Sequence, residues 1–267
     1  MEISLTWHRL VLMVSSSSFS TDKLPKAPPE ERLIVALDVS SAADAQRIVT
    51  ALGESVRFYK VGMQLYTAEG PTVVRELVHA GKQVFLDLKY HDIPNTVAAA
   101  VSEAAQLGVS MLTVHASGGT KMLQAAANAA RAQAISGDIE HFPRVVAVTV
   151  LTSMDQESLD EVGVSAPVVD QVVRMASMAL KAGCAGIVSS AQEVKTLREK
   201  LGGKFLAITP GVRPAGAEHG DQARVVTPTQ AISAGASHIV VGRPITAAPT
   251  PAEAAAQILQ EIRSAKA

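Results

Sequence analysis

Residues 83–96 read QVFLDLKYHDIPNT, an apolar run that changes abruptly into charged residues. Side chains of a strand alternate with a period of two, so Asp87 and Lys89 are expected on the same face. Burying charged groups is costly unless they are paired or take part in function. Asp92 adds a third charge just past the strand, whereas a structural salt bridge needs only two. The stretch therefore predicts a buried strand whose end carries a functional site.

Short apolar runs alternate with alanine-rich helical patterns on both sides of this stretch. The predicted strands are Leu33–Val39, Phe58–Val61, Gln83–Lys89, Met111–His115, Val145–Leu151, Gly186–Ser189, Phe205–Thr209 and His238–Val241. The predicted helices are Ala42–Leu52, Pro71–Ala80, Thr96–Leu107, Lys121–Ala134, Ala166–Ala182, Ala191–Leu201, Thr227–Ala234 and Pro251–Ala265. Eight strands that alternate with helices over about 235 residues predict an α/β domain folded as a (β/α)8 TIM barrel.

A doubly wound parallel sheet is the alternative architecture for the same alternation. That fold usually has a Gly-x-Gly-x-x-Gly turn after its first strand, whereas the first predicted strand here ends in Leu37-Asp38-Val39-Ser40-Ser41. The strand runs are almost continuously apolar, as expected for parallel strands that are buried on both faces. The barrel is therefore the favoured fold.

Composition argues against several classes of function. The chain has 267 residues, of which 48% are apolar and 18% charged, as is typical of a soluble globular protein. Its formal net charge of −1 argues against nucleic acid as the main partner, and its 3% aromatic residues offer few platforms for stacking bases. Cys184 is the only cysteine, so neither a disulfide framework nor a cysteine zinc site is expected, and a reducing, cytoplasmic setting fits.

The first 30 residues differ from the rest of the chain. Their apolar run Leu10–Val14 is too short to span a bilayer and precedes a serine run, Ser15–Ser18. A signal peptide would need a longer apolar core and a small-residue cleavage site. Residues 1–30 are therefore predicted to be a disordered leader or the product of a start codon assigned too far upstream. Residues 31–267 are predicted to form one catalytic barrel with no membrane association.

Catalytic residues of (β/α)8 barrels lie at the C-terminal ends of the strands. The first three predicted strands carry four charged residues there whose formal charges sum to zero: Asp38, Lys60, Asp87 and Lys89. Asp38 or Lys60 alone would be explained equally well by a strand-end ion pair, but the group of four favours a site. No metal site is expected, because no His-Glu-x-x-His spacing occurs and the lysines would repel a cation.

The loops after the seventh and eighth predicted strands both carry an arginine close to a glycine, in Gly211-Val212-Arg213 and Gly242-Arg243. Barrels often bind phosphate with these two loops. Glycine lets an anion approach backbone N–H groups, and arginine adds a bidentate positive charge. A phosphate site is therefore predicted here, with the long polar segment Arg213–Val226 as a mobile lid.

Motifs from about Leu33 onwards occur in the order of one known family. They are Ala36-Leu37-Asp38, Tyr59-Lys60-Val61-Gly62, the ten residues Asp87–Thr96, Thr113-Val114-His115-Ala116, Leu151-Thr152-Ser153, Thr209-Pro210-Gly211-Val212-Arg213, Gly220-Asp221-Gln222 and Val241-Gly242-Arg243-Pro244-Ile245. On these residues the chain closely resembles the orotidine 5′-phosphate decarboxylases of the bacterial type that stands alone as one domain. No position in these motifs departs from the family pattern.

The resemblance implies decarboxylation of orotidine 5′-phosphate to UMP, the final step of de novo pyrimidine nucleotide synthesis, without a metal or organic cofactor. It implies that Lys89 protonates the ring carbon that loses carbon dioxide and that Asp87 lies against the substrate carboxylate. Lys60 and Asp38 would hold the ribose and complete the charge network. Ile93 would bind substrate, Thr152 would contact the pyrimidine, and Gln222 would bridge ring and phosphate. Arg213, Gly242 and Arg243 would bind the phosphate. The resemblance also implies a homodimer, in which Asp92, as a catalytic group, and Thr96 reach into the active site of the partner subunit.

Three other functions are compatible with parts of the pattern. A related sugar-phosphate decarboxylase or aldolase-like enzyme would share the Asp-x-Lys-x-x-Asp pattern at the end of the third strand but would use a metal. The run His91–Thr96 and the motif Gly220-Asp221-Gln222 favour the orotidine enzyme over this alternative. A Schiff-base enzyme is disfavoured because lysines flanked by aspartates favour the ammonium form, which is not nucleophilic. A non-catalytic binder of phosphoribosyl ligands would show no turnover, and the retention of Lys89 argues against it.

Overall fold

The structure, a computed structural model, describes residues 27–134, 142–214 and 226–265. Eight parallel strands close into a barrel in which each strand pairs with the next and the eighth pairs with the first. They are β1 (Leu33–Ala36), β2 (Phe58–Gly62), β3 (Gln83–Tyr90), β4 (Met111–His115), β5 (Arg144–Val148), β6 (Gly186–Val188), β7 (Leu206–Thr209) and β8 (His238–Val241). With helices between the strands, the predicted (β/α)8 TIM barrel is confirmed. Residues 1–26 of the predicted leader, residues 1–30, lie outside the described residues, so the leader stays a prediction.

The helices surround the barrel. In the described ranges they are Pro29–Arg32, Ala42–Leu52, Met63–Glu69, Thr72–His79, Pro94–Gln106, Gly119–Ala134, Gln156–Glu161, Val168–Lys181, Ala191–Leu201, Pro228–Ser233, Arg243–Thr246 and Pro251–Ser264. The helices Pro29–Arg32, Met63–Glu69, Gln156–Glu161 and Arg243–Thr246 were not predicted, because segments this short do not show a helical period. No helix in the described ranges is long and apolar enough to cross a membrane.

Two predicted strands extend three residues too far at their C-terminal ends. The predictions ended at Val39 and Leu151, whereas the strands end at Ala36 and Val148. Buried apolar residues continue past both ends, because the rim of the barrel is covered by helices and by the walls of a cleft. Hydrophobicity therefore marks burial here, and it does not separate the hydrogen-bonded strand from the loop that follows it.

The barrel interior is filled by one cluster of apolar side chains. Its buried members are Ile34, Ala36, Phe58, Phe85, Met111, Val146, Ile208 and Val240. The intervening strand residues face outward into a larger apolar layer beneath the helices. Because strand side chains alternate, the next inward positions of β2, β3 and β4 are Lys60, Asp87 and Thr113. The polar groups therefore lie above the apolar interior, at the C-terminal end of the barrel.

His238 begins β8 and makes the stability of the barrel sensitive to acid. Its ring meets Phe58 edge-on, with the ring centroids 5.9 Å apart, and its Nδ1 has no hydrogen-bond partner among the described residues. Burial, with a smaller effect of the positive charge on Arg32, lowers the pKa of His238 from 6.5 to about 4. The unfolded chain therefore binds a proton between about pH 6.5 and pH 4 that the folded chain does not.

We expect this difference to remove about 3 kcal/mol from the free energy of unfolding as the pH falls through that window. Above about pH 6.5 the ring is neutral in both states, so His238 adds no pH dependence there. Urea unfolding of the wild type and of His238→Leu at pH 7 and pH 4 measures the effect. The wild type should lose more stability than the variant over this interval, and equal losses would show that the histidine is not responsible.

Candidate active site

Four charged side chains form one alternating chain across the ends of β1, β2 and β3. The Nζ atom of Lys60 lies 2.8 Å from Oδ1 of Asp38 and 3.7 Å from Oδ2 of Asp87. The Nζ atom of Lys89 donates to both carboxylate oxygens of Asp87, at 3.0 Å each. Each interior member therefore has an opposite charge on either side. The structure brings together all four strand-end charges that the sequence singled out.

The network is increasingly exposed toward its two ends. The side chains of Lys60 and Asp87 are only 11% and 14% exposed, whereas Lys89 is 26% and Asp38 56% exposed. Paired charges tolerate such burial because the formal charges cancel and each group keeps an ionic partner. Lys89 is thus held by Asp87 while part of its surface remains accessible from the cleft. This is a suitable arrangement for a group that meets a ligand.

Gly62 allows the ion pair between β1 and β2 to form. A Cβ atom at this position would lie 2.8 Å from Nζ of Lys60 and 3.2 Å from Oδ1 of Asp38. The first distance is shorter than any normal contact, so a larger residue would displace the ammonium group. The absence of a side chain at Gly62 is therefore part of the site.

The strand that carries the site does not continue as a regular strand. Its register against β4 shifts between Leu86 and Tyr90, where Leu86 pairs with Leu112 but Tyr90 pairs with Val114. Three residues of β3 therefore oppose a single residue of β4. Lys89 takes φ of 52° within this bulge, the left-handed region that residues other than glycine rarely adopt. The expectation that Asp87 and Lys89 would share a face is met, but a bulge rather than a plain strand brings them together.

Thr113 is the residue of β4 that faces this bulge, and it was missed as a site residue in the sequence. Its hydroxyl accepts the backbone N–H of Lys89 at 2.8 Å and donates to Oδ1 of Asp87 at 3.0 Å. The available signal was a threonine at an inward position of an apolar strand, two residues after Met111. Only the pairing of β3 with β4 shows what this hydroxyl contacts.

A cleft of about 170 Å³ opens beside the charged network. Lys60, Asp87 and Lys89 line one side of it, and Thr152 lies in its wall. The remaining walls are largely apolar, with Phe85, Val148, Val150, Val188, Pro210 and Val240. Such walls exclude water and strengthen the electrostatic interactions of a ligand with the charged side.

Two arginines lie close together after β7 and β8. Arg213 is buried, and burial, with the positive charge of nearby Arg243, lowers its pKa. Its backbone N–H donates to the carbonyl of Val226 at 3.0 Å, which joins the two ends of the predicted lid segment. Gly242 lies beside the end of β1, since a Cβ atom there would be 3.5 Å from Cβ of Ala36 and 3.9 Å from Oδ2 of Asp38. Gln222 and the rest of residues 215–225 lie outside the described residues.

The segment after β3 carries Asp92 and Thr96, which were predicted to act across a dimer interface, and Ile93, which was predicted to bind substrate. Asp92, Ile93 and Thr96 are all exposed, and Ile93 is 65% exposed although it is apolar. Oδ1 of Asp92 accepts the backbone N–H of Ile93 at 2.6 Å. Within the described part of the chain, Asp92 forms no ion pair with Lys60 or Lys89.

Two histidines stack at the rim near Lys89. The rings of His91 and His115 have centroids 5.5 Å apart and an interplanar angle of 26°. Nδ1 of His115 lies 2.9 Å from the hydroxyl of Ser117. Burial, and then the nearby His91 and Lys89, lower the pKa of His115. No cluster of three or more metal-ligating side chains occurs among the residues that the structure describes.

Comparison with known sequences assigns the chain to a family. Residues 31–258 match a family model described as "Orotidine 5'-phosphate decarboxylase / HUMPS family". The chain belongs to this family. The orotidine 5′-phosphate decarboxylase of Moorella thermoacetica is 49% identical over 238 residues, which cover 89% of this chain and 94% of that protein. The enzyme of the same name from Halorhodospira halophila is also 49% identical over 238 residues, covering 89% of this chain and 98% of that protein.

Solved structures of similar proteins have the same fold. The crystal structure of orotidine 5′-phosphate decarboxylase from Lactobacillus acidophilus has a TM-score of 0.77 at 40% identity, covering 88% of this chain and 100% of that chain. That of an uncharacterized conserved protein from Geobacillus kaustophilus has a TM-score of 0.76 at 38% identity, covering 86% and 99%. The family resemblance predicted from the motifs is confirmed by sequence and by fold.

Proposed function

We propose that this member of the orotidine 5′-phosphate decarboxylase / HUMPS family decarboxylates orotidine 5′-phosphate to UMP, with Lys89 as the proton donor. The observation that carries the proposal is the Lys89 ammonium group, 3.0 Å from both oxygens of Asp87 and lining the cleft. The names of the similar Moorella and Halorhodospira proteins support the same substrate. The reaction is the last step of de novo pyrimidine nucleotide synthesis.

The chemistry needs a positive charge beside the reacting carbon. The bond between C6 of the pyrimidine and its carboxylate breaks, carbon dioxide leaves, and the electron pair stays on C6. No neighbouring group delocalises this pair well, so a fixed ammonium at Lys89 stabilises the charge as it develops. One Nζ proton then moves to C6, which completes UMP, and Lys89 regains a proton from water. No step requires a metal ion or an organic cofactor.

Asp87 contributes by repulsion as well as by holding Lys89. A substrate carboxylate that approaches the Lys89 ammonium also approaches Asp87, because the two side chains are in contact. Two carboxylates in one partly buried site repel each other, and the departure of neutral carbon dioxide removes that repulsion. Lys60 and Asp38 would bind the ribose hydroxyls from the far end of the network, and Thr152 would contact the pyrimidine from the cleft wall.

A phosphate group would offset the repulsion between the two arginines. The pKa of Arg213 is lowered by burial and by the nearby positive charge of Arg243, so keeping both guanidinium groups charged costs free energy. A phosphate dianion bound between them would offset this cost by attracting both positive charges. Gly242 would offer backbone close to the anion, and Gln222 would bridge phosphate and ring. Binding energy from the phosphate, far from the reacting carbon, can lower the barrier at C6.

We expect Arg243→Ala to raise KM for orotidine 5′-phosphate by about 10- to 100-fold, with a smaller change in kcat, because a charge-assisted hydrogen bond is lost. The measurement compares kcat/KM for the nucleotide with kcat/KM for the phosphate-free nucleoside. The variant should prefer the nucleotide less strongly than the wild type does. Arg47→Ala, on the exposed side of the helix Ala42–Leu52, is the matched control. An unchanged preference in Arg243→Ala would remove Arg243 from the phosphate site.

We further propose that the active site is completed by a second copy of the chain. Asp92 and Thr96 are exposed beside the site instead of being bound within it, and Ile93 and Met63 are apolar side chains that are 65% and 55% exposed. Apolar groups at the rim of a polar site are typical of surfaces that become covered in an assembly. A homodimer would cover them and bring Asp92 of one subunit to the site of the other.

The enzyme is proposed to work in the cytoplasm. Its single cysteine, Cys184, is buried, and burial raises the pKa of the thiol to about 12. A cysteine of this kind is inert and packs as a small apolar residue, so the fold needs no oxidising compartment.

The proposed activity is tested by following the loss of orotidine 5′-phosphate absorbance with purified protein, with and without excess EDTA. Conversion to UMP at the same rate in both conditions is the expected result. Conversion that EDTA abolishes would contradict the metal-free mechanism. No conversion by folded protein would refute the decarboxylase function. The metal-dependent reactions of a sugar-phosphate decarboxylase or aldolase-like enzyme, and binding of the nucleotide without turnover, would then be assayed as the alternatives.

A further inference from the structure

A buried hydroxyl connects the two residues at the centre of the site. Thr113 is fully buried and cannot reach a ligand in the cleft. Its oxygen accepts the backbone N–H of Lys89 at 2.8 Å, and its proton goes to Oδ1 of Asp87, 3.0 Å away. A hydroxyl carries only one proton, so the direction of both hydrogen bonds follows from the chemistry of the two partners. A single side chain thus holds the backbone of Lys89 and the carboxylate of Asp87.

The bulge in β3 explains why Lys89 needs such a partner. Between Leu86 and Tyr90 the regular ladder with β4 is interrupted, so the N–H of Lys89 has no carbonyl of the ladder to bond. Lys89 is also the one non-glycine residue of the described ranges with a positive φ, 52°. Strained backbone of this kind persists only where surrounding contacts hold it. The Thr113 hydroxyl is the contact that the structure provides.

We propose that Thr113 is a positioning residue for decarboxylation, which acts by fixing Lys89 in its left-handed conformation and Asp87 in its rotamer. The inference rests on the proposed function, because it assumes that the Lys89 ammonium must be aimed at the reacting carbon. Without the hydroxyl, the backbone of Lys89 can relax toward ordinary strand geometry, which changes the direction in which Nζ points. Asp87 loses one of its donors in the same step and can rotate toward Lys60, 3.7 Å away.

The test compares Thr113→Val, which keeps the shape but removes the hydroxyl, with Thr113→Ser, which keeps the hydroxyl. Thr209→Val is the matched control, because Thr209 is equally buried and its hydroxyl has no hydrogen-bond partner among the described residues. We expect kcat of Thr113→Val to fall on the order of 10- to 100-fold, as displacement of a catalytic group by about 1 Å does. KM should change by less than about threefold, because the phosphate contacts are intact. Thr113→Ser should recover most of the loss, and Thr209→Val should match the wild type.

Three results would overturn the proposal. The first is a Thr113→Val enzyme whose kcat equals that of the Thr209→Val control. The second is a Thr113→Ser enzyme whose kcat is as low as that of Thr113→Val, since the hydroxyl would then not be what supports turnover. The third comes from crystal structures of the wild type and Thr113→Val. An unchanged φ at Lys89 and unchanged distances between Nζ and Asp87 in the variant would show that the hydroxyl does not position them. If the wild type itself fails to convert orotidine 5′-phosphate, the proposed function is refuted. The comparison of the two crystal structures then still decides whether Thr113 positions Lys89 and Asp87.

Discussion

Replacing Lys89 by alanine is expected to lower kcat for orotidine 5′-phosphate by roughly 10⁴-fold or more, which amounts to loss of turnover. The variant loses both the positive charge beside the developing carbanion and the proton that ends the reaction. The barrel should stay folded, because Asp87 keeps Lys60 as an ionic partner and the apolar interior is untouched. Single-turnover assays of UMP formation, with circular dichroism melting as the check of folding, measure the effect.

Two further variants separate charge from proton transfer. Lys89→Arg keeps a cation beside Asp87, but a guanidinium group does not give up its proton, so turnover should remain lost. Lys195→Ala removes an exposed lysine from the helix Ala191–Leu201 and serves as the control with wild-type activity. Near-normal activity of a folded Lys89→Ala enzyme would refute the assignment of Lys89 as proton donor.

Mixing two inactive variants should restore activity if Asp92 works in the site of the other subunit. In a hybrid dimer of Lys89→Ala and Asp92→Ala subunits, the site of the Asp92→Ala subunit has its own Lys89 and receives Asp92 from the partner. Random exchange makes half of the dimers hybrid, each with one intact site of two, so about a quarter of wild-type activity should return. The assay is UMP formation after the two proteins have been mixed under conditions that allow exchange of subunits.

The control for this experiment uses two residues of one network. Lys60 and Lys89 both contact Asp87 within a single chain, so hybrids of Lys60→Ala with Lys89→Ala contain no intact site and should stay inactive. Mass spectrometry of the mixed dimers establishes that subunits have exchanged. If exchange is complete and the first pair remains inactive, Asp92 acts within its own subunit or not in catalysis.

The sequence predicted the charged network well, and it did so for a physical reason. Asp38, Lys60, Asp87 and Lys89 follow apolar runs, and a parallel barrel gathers the ends of its strands at one rim. Their meeting therefore follows from fold class alone. The extents of β1 and β5 were predicted less well, because buried loop residues look like strand residues when only hydrophobicity is considered.

The sequence by itself determined the β/α alternation, the barrel and the identity of the strand-end charges, because hydrophobic periodicity and short motifs are local properties of a chain. Only the tertiary structure decided how those charges are held. The bulge in β3 and the left-handed backbone of Lys89 appear only when β3 is paired with β4. Thr113 lies 24 positions from Lys89 and 26 from Asp87 in sequence, and hydrogen bonds over such separations depend on the register between strands, which no local pattern encodes.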